Sequence, residues 1–350
     1  MSELVQGGAS EQARRGGLSM QKVGSTAGNP SYFRLQQFAD VQSLGLLGLL
    51  IVMIVVLSFA SPYFLTFGNI VNILLSVSVI GTMAAASTLV MISRNLDLSV
   101  ASIAALAGVL TAQAMGSWGL PASLTILLGL GIGALCGAVN GFLINVCRIN
   151  SIITTIATLS VFRGAAFVVT NGSTALVDNE TLVFIGSGRV LGLPVAVWLM
   201  LAIYLAIHFI AMRTRIGRSL YAIGANPRAS MLAGLRLARY RLGVFVASGV
   251  SCGLAGILLN GQSGTAMPGA AVTYELLVVT AVLLGGTSLQ GGEGRVGGTL
   301  LGVLIIGTLN NGMTLLSVPS YYQTVANGIL LLIAVGVDQF RRGTGREEVA

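Results

Sequence analysis

Residues 213–241 read RTRIGRSLYAIGANPRASMLAGLRLARYR, and this segment decides how the rest of the chain is interpreted. It contains seven arginines and no acidic residue, and it separates two apolar runs, 194–212 and 242–260. About 20 apolar residues are needed to cross the ~30 Å hydrocarbon core of a bilayer. A basic loop between two such runs is typical of a membrane protein whose charged segments stay in the cytoplasm.

Apolar runs recur along the whole chain. Hydrophobic residues make up 54% of the 350 positions and charged residues only 9%, and the mean hydropathy is +0.88. The sequence therefore predicts an all-α, polytopic integral membrane protein with about ten transmembrane helices. The predicted spans are 43–60, 70–92, 98–115, 122–146, 151–170, 194–212, 242–260, 274–288, 296–316 and 322–338. Asn95, Asp97 and the glycines within 285–298 favour broken or re-entrant segments near those positions.

The basic residues predict the orientation. If the N-terminus is cytoplasmic, the tails and the even-numbered junctions hold all 19 basic residues except Arg163, within a span, and Arg189, outside. The reverse orientation would translocate all of the others, which the positive-inside rule disfavours. Both termini are therefore expected in the cytoplasm. The net charge of +8 does not indicate nucleic acid binding, because the basic residues lie between apolar runs and not on one soluble face.

Three regions follow from this topology. Residues 1–40 are rich in Gly, Ser, Gln and Arg without a cleavage-type signal, and are expected to be a disordered cytoplasmic tail. Residues 41–340 form the transmembrane domain with its cytoplasmic loop 213–241, and residues 341–350 a cytoplasmic C-terminal tail. The outer loop 171–193 is too short to be a receptor domain, so a dilute solute must be captured by a separate protein or by the transport site itself.

The chain offers little material for catalysis. We predict no disulfide, no metal site and no catalytic residue: Cys136, Cys147 and Cys252 lack metal-type spacing, and His208 ends an apolar run. There is no H-E-x-x-H pattern for an intramembrane enzyme and no G-x-x-x-x-G-K-[ST] loop for ATP. Energy for transport is therefore expected from another chain, and this chain is expected to bind no cofactor.

Within the basic loop, GANPRASMLAGL (224–235) predicts a short helix. Asn226 is suited to the N-cap, Pro227 to the first helical position and Gly234 to the stop. Met231, Leu232 and Leu235 form an apolar set that the groove of a partner could accept. The alternative is a loop that serves only orientation and contacts lipid headgroups.

Several stretches carry a family resemblance. They are NLDLSV (95–100), TNGS (170–173), TRIGRSLYAIGANPRASMLAGL (214–235), LLGGTSLQGGEGRVGGTLLGVLIIGTLNNGM (283–313) and VPSYYQ (318–323). In this order and spacing they resemble the permease subunits of bacterial ribose-type ABC importers, from the early apolar spans to near the C-terminus. In that family the 214–235 stretch looks like the loop between spans six and seven that inserts a coupling helix into a groove of the cytoplasmic ATPase. The candidate ATPase-coupling residues are Asn226, Pro227, Arg228, Met231, Leu232, Gly234 and Leu235.

The resemblance implies partners, location and cargo. It implies an ABC ATPase subunit that binds the ATP and Mg²⁺, a periplasmic sugar-binding protein, a second permease copy or a paralogous permease, and lipid of the bacterial inner membrane. Ribose is the expected cargo. The family usually has glycine near positions 94 and 101, where this chain has Arg94 and Ala101. Autoinducer-2, rhamnose, another pentose, a polyol and branched-chain amino acids therefore remain alternative cargoes, and an ion-coupled secondary transporter remains an alternative class.

Polar residues inside the spans are the candidates for the pathway. Asp97 either caps the helix that follows it or belongs to a gate, and Glu275 either contacts an incoming binding protein or is solvated. Arg163 is expected to pair with one of these carboxylates in preference to snorkelling or binding carbonyls. The candidate pathway or gate residues are Asp97, Asn140, Asn145, Thr154, Thr155, Thr158, Asn310 and Asn311; helix-to-helix hydrogen bonding is the alternative role.

Glycine-rich stretches within the spans suggest close helix packing. The clearest are LLGLGIGALCGAVNG (127–141) and SGVSCGLAGIL (248–258). Small residues at such spacing let helix backbones approach closely in a membrane. A hinge role in alternating access is the alternative.

Overall fold

A computed structural model of the chain describes residues 30–346, and it describes side chains from 44 to 340. Contacts divide the chain into residues 1–40 and 41–350, and the architecture below is that of the second unit. Most of the predicted N-terminal tail, and residues 347–350 of the C-terminal tail, lie outside the described residues.

Helices dominate the described part of the chain. They are α1 (Pro30–Ala60), α2 (Phe67–Ile92), α3 (Val100–Gly116), α4 (Ala122–Asn145), α5 (Ser151–Thr170), α6 (Glu180–Ser187), α7 (Val195–Arg213), α8 (Arg215–Ala225), α9 (Pro227–Leu232), α10 (Leu237–Ser263), α11 (Tyr274–Leu284), α12 (Val296–Leu315) and α13 (Ser320–Arg346). Four two-residue strands complete the list: β1 (Ala175–Leu176), β2 (Arg189–Val190), β3 (Leu193–Pro194) and β4 (Thr265–Ala266).

The predicted all-α membrane architecture is confirmed. Each predicted span coincides with an apolar helix, and seven of these helices in the described residues are long and apolar enough to cross a bilayer: α2, α4, α5, α7, α10, α12 and α13. The apolar part of α1, together with α3 and α11, is shorter. At 1.5 Å per residue, the 11 residues of α11 extend only about 17 Å. The total of ten spans therefore stays a prediction, and α11 has the length of a broken segment.

Two helices extend past the predicted domain boundaries, which stay predictions. α1 begins at Pro30, before position 40, and α13 continues beyond position 340 to Arg346. Neither glycine nor proline occurs between Pro30 and Gly45, so nothing in the local sequence stops that helix from extending.

α2 lies at the centre of the packing. In its most apolar stretch 78% of the residues are buried, against 28% for α4 and α5 and 6% for α13. Its neighbours are α7, α10, α11 and α12. Met83 and Val90 are completely buried there. The exposed apolar faces of α5 and α13 are normal for helices that contact lipid or another subunit, because lipid tails are as apolar as the side chains.

The glycine-rich stretches pack as predicted. On α4, a Cβ added to Gly133 would overlap the carbonyl oxygen of Gly249, and one added to Gly137 would overlap that of Phe245. On α10, a Cβ at Gly256 would overlap the carbonyl oxygen of Ala104. The backbones of α3, α4 and α10 are therefore in contact at positions where only glycine fits. This close approach through small residues is typical of packed membrane helices.

The strands form two small antiparallel pairs. β1 pairs with β4, aligning Ala175 with Ala266, and β2 pairs with β3, aligning Arg189 with Pro194. The first pair joins the predicted outer loop 171–193 to the segment between α10 and α11. Ser187 strengthens this connection by donating a hydrogen bond to the carbonyl of Gly261.

Candidate functional site

Four predicted cytoplasmic junctions meet at one end of the helices. Arg94, Arg148 and Arg236, from the α2–α3, α4–α5 and α9–α10 connections, line a single cavity. The α11–α12 connection packs against α8 at Gly224, and the amide of its Gly292 donates to the carbonyl of Ile92 at the end of α2. These connections are far apart in sequence, and their meeting places the basic loops on one side.

The basic loop 213–241 folds into two helices, of which the sequence predicted only the second. Thr214 is the N-cap of α8, and its hydroxyl accepts the amide of Gly217. Leu220 and Ile223 are completely buried. A Cβ at Gly224 would overlap the carbonyl oxygen of Ile92, so α8 lies directly against the end of α2. α8 therefore anchors the loop to the helices.

Tyr221 fixes the other side of α8. Its hydroxyl donates a 2.8 Å hydrogen bond to the carbonyl of Gly294. Burial raises the pKa of Tyr221 to about 12, although the charge of Arg295 acts in the opposite direction. The α11–α12 connection is thus held to α8 by a neutral phenol.

α9 has the capping geometry that the sequence predicted. The side chain of Asn226 accepts the amide of Ala229 at 3.0 Å, and Pro227 occupies the first helical turn, where its missing N–H costs nothing. Gly234 follows the helix with φ of 86°, a left-handed conformation that glycine adopts without strain. α9 is only six residues long, so these caps matter to it.

The predicted coupling residues differ in their exposure. Met231 is 62% exposed and Leu232 is 85% exposed, so both offer apolar surface to a partner. Arg228 is also exposed, whereas Leu235 is half-buried and faces the cavities beside α9. The available docking surface is therefore centred on Met231 and Leu232, and Leu235 supports it from behind.

Asp97 lies at the start of α3 in a buried polar cluster. Its Oδ1 accepts the backbone amide of Ser99 at 3.0 Å and the hydroxyl of Ser99 at 2.6 Å, and its Oδ2 accepts the hydroxyl of Ser248 at 3.2 Å. The Asn140 amide donates to the Ser99 hydroxyl at 2.7 Å. The cluster ties the segment just before α3 to α4 and α10. The N-cap residue of α3 is Ser99, which makes no side-chain capping hydrogen bond, so a capping role of Asp97 stays a prediction. A role of Asp97 in a gate stays a prediction.

The remaining candidates on α4 and α5 bond mostly to backbone. Asn145 donates to the carbonyl of Gly141, one turn earlier on α4, and the hydroxyl of Thr155 lies 3.3 Å from the carbonyl of Leu96. Thr158 is buried and donates to the Thr155 carbonyl. Two buried oxygens, Asn140 Oδ1 and Thr154 Oγ1, have no hydrogen-bond partner among the described residues. A pathway role for this group stays a prediction.

Asn310 and Asn311 belong to a different group, on α12. Asn311 forms a reciprocal amide pair with Asn69 of α2, at 3.0 and 2.8 Å. Asn310 accepts the amide of Asn327 from α13 at 3.1 Å. These bonds are of the helix-to-helix kind. The structure therefore separates the pathway candidates into an α3–α4–α5 group and an α2–α12–α13 group, and it does not bring them into one cluster.

The preferred ion pair of Arg163 is not what the structure shows. The guanidinium donates to the carbonyls of Pro268 and Ala270, in the turn before α11. Asp97 accepts from serine donors, and Glu275 is near enough to attract Arg163 electrostatically but forms no hydrogen bond with it. Turn carbonyls lack helical partners, so they compete well for the guanidinium. Glu275 Oε2 is buried without a hydrogen-bond partner among the described residues. Both roles expected of Glu275, contact with a binding protein and solvation, stay predictions.

The cysteines and histidine show no catalytic arrangement. Cys136 and Cys252 are buried, and Cys147 is exposed; all three are free. His208 is exposed on α7. Among the residues whose side chains are described, no group of three or more His, Cys, Asp or Glu residues could hold a metal ion.

Sequence reasoning missed the partners of several candidates. Ser99 and Ser248 complete the Asp97 cluster, and Asn69 and Asn327 complete the α12 pairs. The missing signal is tertiary, since Asn69 and Asn311 lie 242 positions apart. The helix α8, in contrast, had a local signal in the spacing of Ile216, Leu220 and Ile223.

Comparison with known proteins gives consistent matches. The family described as "Branched-chain amino acid transport system / permease component" matches residues 69–335. The ribose import permease protein RbsC of Escherichia coli K12 is 41% identical over 293 residues, which cover 83% of this chain and 91% of that protein. RbsC of Bacillus subtilis 168 is 41% identical over 302 residues, covering 85% and 93%. The L-arabinose ABC transporter permease protein AraH of Azospirillum brasilense is 38% identical, covering 86% and 89%. No solved structure matches the chain.

Proposed function

This chain belongs to the family of branched-chain amino acid transport system permease components, and from that premise we propose that it is the permease subunit of an ABC importer for ribose. It is a multi-pass protein of the inner membrane and forms the membrane subunit of a transporter. The observation that carries the cargo is the similarity to ribose import permeases along most of both chains.

The proposed energy source is a separate ATPase that docks on α9. The sequence has no phosphate-binding loop of its own, so ATP and Mg²⁺ bind on the partner. The exposed Met231 and Leu232 side chains supply an apolar anchor for a partner groove. α8 supports the transmission of force, because it is buried against the end of α2 and bonded to the α11–α12 connection. Movement of α9 then reaches the central helix through α8.

The proposed pathway lies between two permeases, either two copies or one copy and a paralogue. The pathway candidates form two separate groups in one chain, and the apolar faces of α5 and α13 are exposed. A periplasmic sugar-binding protein delivers the cargo on the side of the β1–β4 pair. The binding protein supplies the affinity, and the pathway supplies hydrogen bonds that a hydroxylated solute exchanges easily.

The testing experiment is uptake of labelled ribose by cells that lack only this chain, with and without a plasmid that restores it. Xylose and autoinducer-2 serve as parallel cargoes. Ribose uptake should disappear and return with the plasmid. If ribose uptake is unchanged and uptake of another cargo is lost, the ribose assignment is wrong, but the assignment as a permease subunit holds. If uptake of every cargo is unchanged and no ATPase co-purifies with the tagged chain, the assignment as an ABC importer subunit is wrong.

L-arabinose is the second candidate cargo. Permeases named for L-arabinose are similar to this chain along nearly the same length. Labelled L-arabinose therefore belongs in the same uptake series, and its selective loss would favour this second assignment.

A further inference from the structure

A cavity at the end of the helices that carries α9 is lined by four arginines. Arg94, Arg148, Arg236 and Arg241 face a space of about 750 Å³. They come from three connections, α2–α3, α4–α5 and α9–α10, and Arg241 lies in the first turns of α10. None of the residues that line the cavity, all of them described by the structure, is acidic. Four positive charges thus converge without a counter-charge from their own surroundings.

The four guanidinium groups also lack hydrogen-bond partners. None of them forms a hydrogen bond or ion pair through its side chain in the described part of the chain; Arg94, Arg148 and Arg236 are exposed, and Arg241 is half-buried. Arg241 Nε is buried and unsatisfied, and Arg94 and Arg241 are near enough to repel each other. A buried donor without a partner is costly, and so is a pair of like charges. A bound anion would accept from the Arg241 donor and reduce the repulsion between Arg94 and Arg241.

The backbone holds two of these arginines in an unfavourable conformation. Arg94 has φ of 64° and Arg148 has φ of 58°, in the left-handed region that glycine occupies without strain. Residues kept in such conformations cluster at functional sites, where the surrounding structure fixes them. At both positions the left-handed backbone carries an arginine in place of the glycine that it favours, so each position contributes a guanidinium group to the cavity.

The position of the cavity indicates which anion it takes. It lies where three apolar helices end or begin, beside Asn145 of α4, Ser151 of α5 and Leu237 of α10. No side chain caps the N-terminus of α10, which adds partial positive charge there. Ends of spanning helices lie at the depth of lipid headgroups, and the cytoplasmic leaflet is anionic. We propose that Arg94, Arg148, Arg236 and Arg241 bind the phosphate group of an anionic phospholipid from the cytoplasmic leaflet.

The lipid binds beside the docking surface. Met231 and Leu235 line the same cavity, so a lipid bound there would contact α9 and the residues that follow it. Lipid binding therefore stabilises the segment that is proposed to contact the ATPase. It does not depend on which cargo is transported.

The test is a titration of the purified full-length chain in neutral detergent, followed by calorimetry. The probes are dioctanoyl-phosphatidylglycerol, dioctanoyl-phosphatidylcholine and inorganic phosphate. The wild type should bind the phosphatidylglycerol at least about tenfold more tightly than either other probe, because both the phosphate and the lipid body contribute. The variant Arg94→Gly with Arg241→Gln should weaken that binding at least about tenfold.

The matched control is Arg215→Gln with Arg218→Gln. These arginines are exposed on α8 and do not line the cavity, so the control removes the same charge elsewhere and should keep wild-type affinity within about twofold. Arg94→Gly alone is a cavity variant that is expected to fold normally, because glycine adopts the left-handed backbone without strain. Equal loss of affinity in both double variants would overturn the proposal.

Two further outcomes would also overturn it. Inorganic phosphate binding as tightly as phosphatidylglycerol would assign the cavity to a free anion. Unchanged lipid binding by the cavity variant, with loss of ATPase association, would assign the arginines to acidic side chains of the partner. Ribose uptake measures the cargo independently, so failure of the lipid proposal is distinguishable from failure of the importer.

Discussion

Tyr221 shows how one side chain can couple a loop to the helices. Its hydroxyl donates a hydrogen bond to the carbonyl of Gly294, and the residue is half-buried. The structure favours the neutral phenol, whose pKa is raised from 10.0 to about 12. The unfolded chain loses this proton first as the pH rises, so the stabilisation is complete below pH 10 and is lost between about pH 10 and 12.

We therefore predict an alkaline step in stability that Tyr221→Phe removes. At neutral pH the free energy of unfolding of the variant should be about 0.5–1.5 kcal/mol lower than that of the wild type, because the hydrogen bond is lost. Above pH 10, its melting temperature should fall less with pH than that of the wild type. The measurement is thermal unfolding in detergent from pH 7 to 11.5. Tyr63→Phe, at a position 69% exposed, is the control. The same alkaline step in wild type and Tyr221→Phe would assign it to other groups.

Asp97 is the second position where one residue decides the local structure. Its carboxylate satisfies one backbone amide and two serine hydroxyls in a buried site. We predict that Asp97→Ala lowers stability by about 2–4 kcal/mol, because the Ser99 amide is left buried without an acceptor. Asp97→Asn should cost less, since its amide oxygen still accepts and the serine hydroxyls can rotate.

The measurement is melting temperature and ribose uptake for both Asp97 variants. A purely structural role predicts that uptake per folded molecule is unchanged in Asp97→Asn. Loss of uptake at wild-type stability would instead support an ionic role in a gate. Ser76→Ala, which removes a hydroxyl bonded only within its own helix, controls for mild polar losses.

At the scale of helices, the α4–α10 contact depends on glycines that have no room for a side chain. A methyl group at Gly137 would overlap the Phe245 carbonyl, whereas one at Gly131, on the same helix, would meet no atom within 4 Å. We predict that Gly137→Ala destabilises the protein by about 1–3 kcal/mol through overpacking. Gly131→Ala should be neutral or stabilising, because alanine has the higher helix propensity. Thermal unfolding of both variants measures the difference, and equal melting temperatures would contradict close backbone packing.

The docking surface of α9 is tested at the same scale. Met231→Asp with Leu232→Asp should remove most ATPase association, because both side chains are exposed and charge in an apolar groove is costly. Co-purification of the ATPase and ribose uptake are the measurements. Leu176→Asp, at a β1 residue that is 79% exposed, is the control for co-purification and should keep ATPase association. Retained association in the double variant would mean that the ATPase binds elsewhere, or that the transporter is ion-coupled.

Asn226→Ala offers an independent change to the same helix. Loss of the N-cap should cost about 1 kcal/mol of helix stability, and Asn226→Ser should restore it. Gly234→Arg is a less informative change, because any side chain at φ of 86° strains the backbone whether or not a partner binds.

The elements show what the sequence could predict. The spans followed from apolar length alone, and α9 from Asn226, Pro227 and Gly234, because both signals are local. α8 was missed although Ile216, Leu220 and Ile223 have helical spacing, since its arginines give it the composition of a loop. The pairing of Asn311 with Asn69, and the bonds of Arg163 to carbonyls, depend on tertiary contacts that no local pattern contains.

For the whole molecule, the charge pattern and the structure agree on which loops share a side. The connections that carry Arg94, Arg148 and Arg236 line one cavity, and the β1–β4 pair joins 171–193 to the segment before α11. The positive-inside rule predicts that the end with these arginines faces the cytoplasm. Cys147 provides a natural reporter, because it is exposed next to Arg148 while Cys136 and Cys252 are buried.

We predict that a membrane-impermeant maleimide labels Cys147 in inside-out vesicles and leaves it unlabelled in spheroplasts. The control is Ser173→Cys in a Cys147→Ser background, since Ser173 is exposed in the opposite loop and should show the reverse pattern. Labelling of Cys147 in spheroplasts would show that the orientation is the reverse of the predicted one. α9 would then face the periplasm, beyond the reach of a cytoplasmic ATPase, and the four arginines would face the outer leaflet. The orientation therefore decides both the coupling proposal and the lipid proposal before either ligand is added.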